Sequence, residues 1–266
     1  MRFSRAIPVA ALLLAAACAS AEPGPPRLRD DRISIAIADG PRRATDEGVR
    51  RWVIASAAQV SSIWGEFPAV PVQVRVEPVR EGGGGDPVVF GHVRGRNRPL
   101  VRLLLRGDAD DASLDRDWVA VHELIHLAMP PIRTEDAWLS EGWATWVTEI
   151  LRARAGLQTE QEAWTEILRG FERGRRPTGR TLAEDSRRLG ETHAYMRVYW
   201  GGAAIALLVD HGLRRGPGGR SLDDALRAMR DMERDDDGDE VPAAEWMERL
   251  DRWLGRPLFS PTAPGT

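Results

Sequence analysis

Apolar and polar residues alternate in the first half of the chain, a period of two that is typical of strands with one buried face. Isoleucine occupies positions 33, 35 and 37, and valine occupies positions 70, 72, 74 and 76. Two apolar runs, Val88–Val93 and Leu100–Leu105, flank the polar segment Arg94–Arg98, which predicts a hairpin. We therefore predict that this half of the chain is rich in strands.

Helical periodicity appears first between these strands and then dominates the second half. Apolar residues recur with a period of 3.6 from about Thr45 to Phe67. A second helix is predicted over Leu114–Met129, and it ends there because Pro130 disfavours helical geometry in the residue before it. Further helices are predicted at about 140–155, 159–173, 195–213, 221–232 and 243–254.

The order of these elements predicts an α+β fold in a single domain at 32–259. Its N-terminal mixed strand and helix lobe spans about 32–129, and its C-terminal helical lobe spans about 130–259. We expect the functional site between the two lobes, where ligand sites commonly form. The Pro-rich and charged residues 22–31 predict a linker, and residues 260–266 predict a tail.

The first 21 residues have the pattern of an export signal, with a charged start, an apolar run and a small-residue cleavage site at Ala19–Ala21. The single cysteine, Cys18, follows Leu14–Ala17 and resembles the lipidation site of bacterial lipoproteins. Acylation at Cys18 predicts an anchor in the cell envelope, at the outer membrane or in the periplasm. Cleavage after Ala21 predicts a secreted protein instead, and both alternatives predict export.

Composition excludes several classes of function. The formal net charge is -3, and arginines are interspersed with acidic residues, so we expect no binding of nucleic acid. The chain has no lysine, which excludes Schiff-base catalysis and a P-loop. The only cysteine, Cys18, is either acylated or removed with the export signal, so we expect no free thiol in the mature chain. This excludes a cysteine nucleophile, a disulfide and cysteine-ligated zinc.

The predicted second helix carries the segment His122-Glu123-Leu124-Ile125-His126. A spacing of four residues places the two imidazoles one turn apart on one helix face, where both can bind one metal ion. Imidazole suits Zn²⁺, and a catalytic zinc site has three protein ligands and a water. Glu123 follows the first histidine and can act as the general base toward that water.

A second segment, Trp138-Leu139-Ser140-Glu141-Gly142-Trp143-Ala144-Thr145, supplies a candidate third ligand in Glu141. From the residues alone, Glu141 is either a ligand or a carboxylate favoured by a helix N-terminus that Ser140 caps. Together, the two segments resemble the gluzincin metallopeptidases, which include the peptidase MA-like, aminopeptidase N and glycyl aminopeptidase families. The resemblance implies a zincin-like fold, Glu141 as the third zinc ligand and peptide bonds as substrate, and the spacing from His126 to Glu141 is closest to the peptidase MA-like group.

A third segment, Arg197–Ala204, resembles the Tyr-x-Lys-Gly-Ala segment of the same families, whose tyrosine stabilises the oxyanion. The resemblance implies this role for Tyr199, although Gly201 stands where those families have lysine. Tyr199 as a packing residue is the alternative, and Tyr195 and His193 are neighbouring candidates. The amine-binding Gly-x-Met-Glu-Asn motif of the aminopeptidase N family is missing, so the resemblance does not imply exopeptidase activity.

Two further features leave alternatives open. Thr145 lies one turn after Glu141 and can either hydrogen-bond a ligand imidazole or bond its own helix backbone. The acidic run 235–239 hints at a calcium loop. However, the twelfth position counted from Glu233 is Ala244, where such loops have glutamate. A solvated acidic turn is therefore favoured.

The sequence thus predicts hydrolysis of a peptide or protein substrate by one Zn²⁺ per chain, with Glu123 as base. Two alternatives remain. The chain could be a non-catalytic surface lipoprotein that uses the fold as a binding module, or it could hydrolyse a bond other than a peptide bond.

Overall fold

The computed structural model describes residues 27–80, 85–233 and 239–259. They divide into two compact units. The N-terminal unit contains the described residues up to Ala128 and Arg154–Leu157, and the C-terminal unit contains Met129–Ala153 and the described residues from Gln158 onward. The predicted export signal, the lipidation site at Cys18, most of the acidic run and the C-terminal tail lie outside the described residues.

The N-terminal unit contains six strands. They are β1 (Arg27–Leu28), β2 (Ile33–Ile37), β3 (Glu66–Phe67), β4 (Val72–Val79), β5 (Val88–Arg94) and β6 (Leu100–Arg106). The main sheet has the order β2-β4-β6-β5, in which β2, β4 and β6 are parallel and β5 is antiparallel to β6. β1 and β3 form a separate parallel pair. The predicted hairpin is confirmed by the pairing of β5 with β6.

Three helices belong to this unit: α1 (Asp46–Trp64), α2 (Asp111–Leu114) and α3 (Val119–Ala128). The Thr45 side chain caps α1 by accepting a hydrogen bond from the Gly48 amide at 2.9 Å. The prediction of one helix from Leu114 was wrong, because the chain leaves the helical path after α2. The buried Asp117 carboxylate accepts from the Ala120 amide at 2.8 Å and starts α3 there.

The core of this unit lies between the helices and one face of the sheet. The alternation read from the sequence places Val72, Val74 and Val76 of β4 on that buried face and the polar side chains between them on the other. The helix α1 contributes a continuous apolar stripe. The fully buried apolar residues include Val49, Val53, Val60 and Ile63 of α1, Val74 and Val76 of β4, Val101 and Leu105 of β6, and Ile125 of α3.

The C-terminal unit is built from helices. They are α4 (Ala137–Arg154), α5 (Glu160–Gly174), α6 (Leu182–Arg187), α7 (Leu189–Thr192), α8 (Tyr195–Arg215), α9 (Leu222–Glu233) and α10 (Ala243–Leu254). The five longer helices predicted from periodicity are confirmed within about three residues at each end, as boundaries usually are. The short α6 and α7 were not predicted, because neither is long enough to show an apolar stripe. No helix among the described residues is long and apolar enough to cross a membrane.

Helices α4 and α8 of this unit meet backbone to backbone at two glycines. A Cβ added to Gly142 would lie 2.5 Å from the carbonyl carbon of Gly202, and one added to Gly202 would lie 2.7 Å from Cα of Gly142. A Cβ on Gly202 would also overlap the carbonyl oxygen of Trp138. Only two residues without side chains permit this approach.

A buried carboxylate ties the start of α8 to the segment around α6. Asp185 is fully buried, and its oxygens accept hydrogen bonds from Thr178 Oγ1 at 2.5 Å, Arg180 Nε at 2.7 Å and Arg197 Nε at 3.0 Å. Burial alone would raise the pKa of this carboxyl, but the hydrogen bonds from Thr178 and Arg180 and the charges of the two arginines lower it overall. Asp185 therefore stays ionised and holds Arg197, two residues before Tyr199.

Replacing Gly202 by alanine should lower the free energy of unfolding by about 1–3 kcal/mol, the usual cost of overpacking, because the new methyl group meets backbone atoms that cannot rotate away. Urea unfolding followed by circular dichroism measures the change. The matched control is Gly190→Ala in α7, where a Cβ meets nothing within 4 Å. That control should keep or slightly gain stability. Equal losses in the two variants would contradict the proposed glycine contact.

Candidate metal centre

The two histidines of α3 point their rings at one place. His122 is buried, with 3% of its surface exposed, and His126 is half-buried. Their Nε2 atoms lie 3.2 Å apart, and the two rings are nearly perpendicular at 82°. Two nitrogens bound at 2.0–2.1 Å to one tetrahedral ion would be about 3.3 Å apart. The helix thus holds the imidazole pair at the spacing that a shared metal ion requires.

Glu123 lies against the edge strand of the sheet. A Cβ added to Gly91 of β5 would lie 2.5 Å from Cγ of Glu123, 2.8 Å from its Oε1 and 2.6 Å from Cγ1 of Val119. The missing side chain at Gly91 therefore lets β5 pass directly over α3 at the predicted base. The role of Gly91 was not predicted, although a glycine inside a strand signals a close approach of this kind.

Glu141 belongs to the second turn of α4 in the C-terminal unit and is half-buried. The helix begins at Ala137, so Ser140 lies inside it and does not cap it. The macrodipole acts chiefly within the first turn, which weakens the alternative reading of Glu141 as a dipole-stabilised carboxylate. The adjacent Gly142 is the residue that contacts α8.

The three side chains that are predicted to bind metal form a group. One ligand atom from each of His122, His126 and Glu141 can be chosen so that all three lie within 4.8 Å of one another. Two imidazole nitrogens and one carboxylate oxygen are a donor set that zinc accepts in catalytic sites, with a fourth position left for water or substrate. The group could hold a metal ion.

The predicted oxyanion donor and its alternatives lie at the start of α8. Tyr199 is half-buried and lies one turn before Gly202, where α8 meets α4. Tyr195 is 41% exposed, and its ring centroid is 6.3 Å from that of Tyr199 and 5.9 Å from that of His193. Within the C-terminal unit, Tyr199 and Glu141 thus flank the same helix crossing. The role of Tyr199 as an oxyanion donor stays a prediction.

Thr145 is buried in α4, one turn after Glu141. Its hydroxyl has no hydrogen-bond partner among the described residues. A buried hydroxyl without a partner is unusual in a folded protein. Its predicted support of a ligand histidine therefore also stays a prediction.

Comparison with known proteins identifies a structural relative. No protein-family model matches the chain, and no curated protein matches it. The fold is similar to the crystal structure of an aminopeptidase N family protein from Idiomarina loihiensis, with a TM-score of 0.61 and 18% sequence identity. The match covers 88% of this chain and 46% of that protein, so the chain spans about half the length of this relative. At this identity the likeness establishes a shared mixed α+β fold.

Removal of one ligand should release the metal, because two remaining donors hold an ion far more weakly than three. After dialysis, we expect the metal content per chain of His126→Ala and of Glu141→Ala to be about tenfold or more below that of wild type. Inductively coupled plasma mass spectrometry measures this content. Glu135→Ala is the matched control, since this exposed carboxylate precedes α4 and lies outside the metal-ligand group. Full metal content in either ligand variant would show that the ligand assignment is wrong.

Proposed function

We propose that the chain is a zinc-dependent hydrolase of the gluzincin type that cleaves peptide bonds. In this proposal His122, His126 and Glu141 hold the metal. The observation that carries it is the imidazole pair of α3, with Nε2 atoms 3.2 Å apart and the Glu141 carboxylate within 4.8 Å of both. The resemblance of both sequence segments to gluzincins supports zinc over other metals.

Bound zinc would acidify a water molecule and polarise the substrate carbonyl. Glu123 supplies the proton transfers. Its carboxylate takes a proton from the attacking water and later gives it to the nitrogen of the leaving amine. Glu123 follows His122 in α3, and Gly91 of β5 lies against its Cγ, so two elements support this position of the proposed base.

The edge of the main sheet supports a peptide as substrate. β5 is the last strand in the order β2-β4-β6-β5, so among the described residues its outer edge pairs with no strand. An extended peptide can bind such an edge through backbone hydrogen bonds. Because Gly91 of the same strand contacts Glu123, a peptide bound there would pass beside the base. A substrate without a repeating amide backbone would gain nothing from this edge.

The structural relative supports the same class of reaction. Its description places it in the aminopeptidase N family, and the shared fold makes a peptidase the natural expectation. Aminopeptidase activity itself is not proposed for this chain, because the amine-binding motif of that family is missing from the sequence. We propose cleavage within peptides or proteins instead.

We also propose that the protein works outside the cytoplasm. The charged start, the apolar run and the small residues before position 22 support export, and Cys18 supports a lipid anchor in the cell envelope. Release after cleavage at Ala21 is the alternative. A protein anchored this way would meet peptide or protein substrates in the envelope.

Replacing Glu123 by glutamine should keep the metal and reduce turnover of peptides by about 10²–10⁴-fold, the usual contribution of a general base. Glutamine has the same shape but cannot accept the proton. Release of fluorescent fragments from a broad peptide library and from unfolded proteins measures turnover, with metal content measured on the same samples. Glu135→Gln serves as the control. Equal turnover in wild type and Glu123→Gln would favour the binding-module alternative.

Replacing Tyr199 by phenylalanine should reduce kcat by about 10²-fold and change KM much less, because an oxyanion donor acts mainly in the transition state. The ring and its packing remain, so metal content and stability should hardly change. Steady-state kinetics on the same peptide give both constants. Tyr195→Phe is the matched control on the same helix face. A slow Tyr195→Phe beside an unchanged Tyr199→Phe would assign the donor to Tyr195.

A further inference from the structure

The solvent-exposed face of the main sheet contains a groove with a volume of 570 Å³. All of its lining residues belong to β4, β5 and β6 of the N-terminal unit. Its charged and aromatic lining residues are Arg75, Glu77, Phe90, His92, Arg94 and Arg102. None of them has been assigned a role in metal binding or catalysis.

The groove carries an excess of positive charge on a chain whose formal net charge is -3. Its single carboxylate, Glu77, is shared by Arg75 at 2.9 Å and by Arg102 at 2.5 Å. Arg94 has no salt bridge to a carboxylate in the described part of the chain. The side chains of Arg75 and Arg102 are 54% and 47% exposed, so a ligand can reach them. This surface therefore suits an anionic group.

An exposed aromatic surface lies beside these charges. Phe90 is 51% exposed, a large fraction for a phenylalanine, and its ring stacks on His92 with centroids 6.2 Å apart. Such a surface can cover the apolar stem of an acidic side chain while an arginine binds its carboxylate. The combination favours a peptide side chain over a small inorganic anion.

The strand β5 links the groove to the candidate metal centre. Phe90, His92 and Arg94 line the groove, whereas Gly91 lies between the first two and contacts Glu123. Side chains of a strand alternate between the two faces of a sheet. An extended peptide bound to the outer edge of β5, which pairs with no strand in the described ranges, would therefore direct every second side chain toward the groove face.

We propose that this groove selects extended peptides with acidic side chains at alternate positions, which is a substrate preference that rests on the proposed peptide hydrolysis. Arg94 pairs with the nearest acidic side chain because it lies on the edge strand. Arg102, one strand further in, adds to the attraction. Aspartate or glutamate on the groove face is thus preferred over the neutral amides, and basic residues there are disfavoured.

The test compares two fluorescent peptides that differ only in glutamate or glutamine at alternate positions. Their binding to the zinc-loaded full chain with Glu123→Gln, which prevents cleavage, is measured by fluorescence anisotropy. Two exposed ion pairs should make the glutamate peptide bind roughly tenfold more tightly at low salt. The preference should shrink in 0.5 M salt, as screening requires.

Single substitutions test whether Arg94 causes the preference for the glutamate peptide. Arg94→Gln should remove most of the preference, and Arg94→Glu should reverse it. Arg98→Glu changes the net charge by the same amount on the turn of the same hairpin, and it should leave the preference intact because Arg98 does not line the groove. Equal affinity for the two peptides, or an equal effect of Arg98→Glu and Arg94→Glu, would overturn the proposal. So would Arg94-dependent binding of inorganic phosphate without any preference between the peptides.

Cleavage by the wild-type protein is scored separately. Preferential binding that depends on Arg94, without cleavage of either peptide, would support the groove and contradict the proposed hydrolysis. Cleavage of both peptides at equal rates and equal affinities would support hydrolysis and contradict the groove.

Discussion

The contact between the backbones of α4 and α8 at Gly142 and Gly202 is the constraint on which the C-terminal unit depends. Helices with ordinary side chains pack with their axes 8–10 Å apart, and only small residues allow backbones to touch. Glu141 precedes one of these glycines, and Tyr199 lies one turn before the other. The crossing of α4 and α8 therefore determines where Glu141 and Tyr199 lie relative to each other.

A related constraint acts in the N-terminal unit. The period of the α-helix places His122 and His126 on one face, where their Nε2 atoms lie 3.2 Å apart. The position of Glu123 has a second determinant, because β5 can lie this close to α3 only at Gly91. A local periodicity thus places the two histidines that we propose as metal ligands. A long-range contact places Glu123, which we propose as the base, against the strand that we propose binds substrate. The same strand carries Arg94 on its other face.

The sequence predicted the features that local patterns encode. Alternation located the strands, period-3.6 stripes located the long helices, and helical spacing identified the imidazole pair. It did not predict the break before α3, although Asp117, which accepts from the Ala120 amide, belongs to the residue types that commonly cap helices. The contact of Gly91 with Glu123 and the groove on the sheet also escaped prediction, because both arise from strand pairing and register. Register joins residues far apart in the chain, and no local period reveals it.

We propose that His122, His126 and Glu141 hold one zinc ion. The most direct test is a crystal structure of the zinc-loaded full chain with anomalous diffraction data collected on both sides of the zinc absorption edge. We expect one strong anomalous peak about 2.0–2.2 Å from Nε2 of His122, Nε2 of His126 and a carboxylate oxygen of Glu141. A peak bound by other residues, or no peak at this group in zinc-replete crystals, would contradict it.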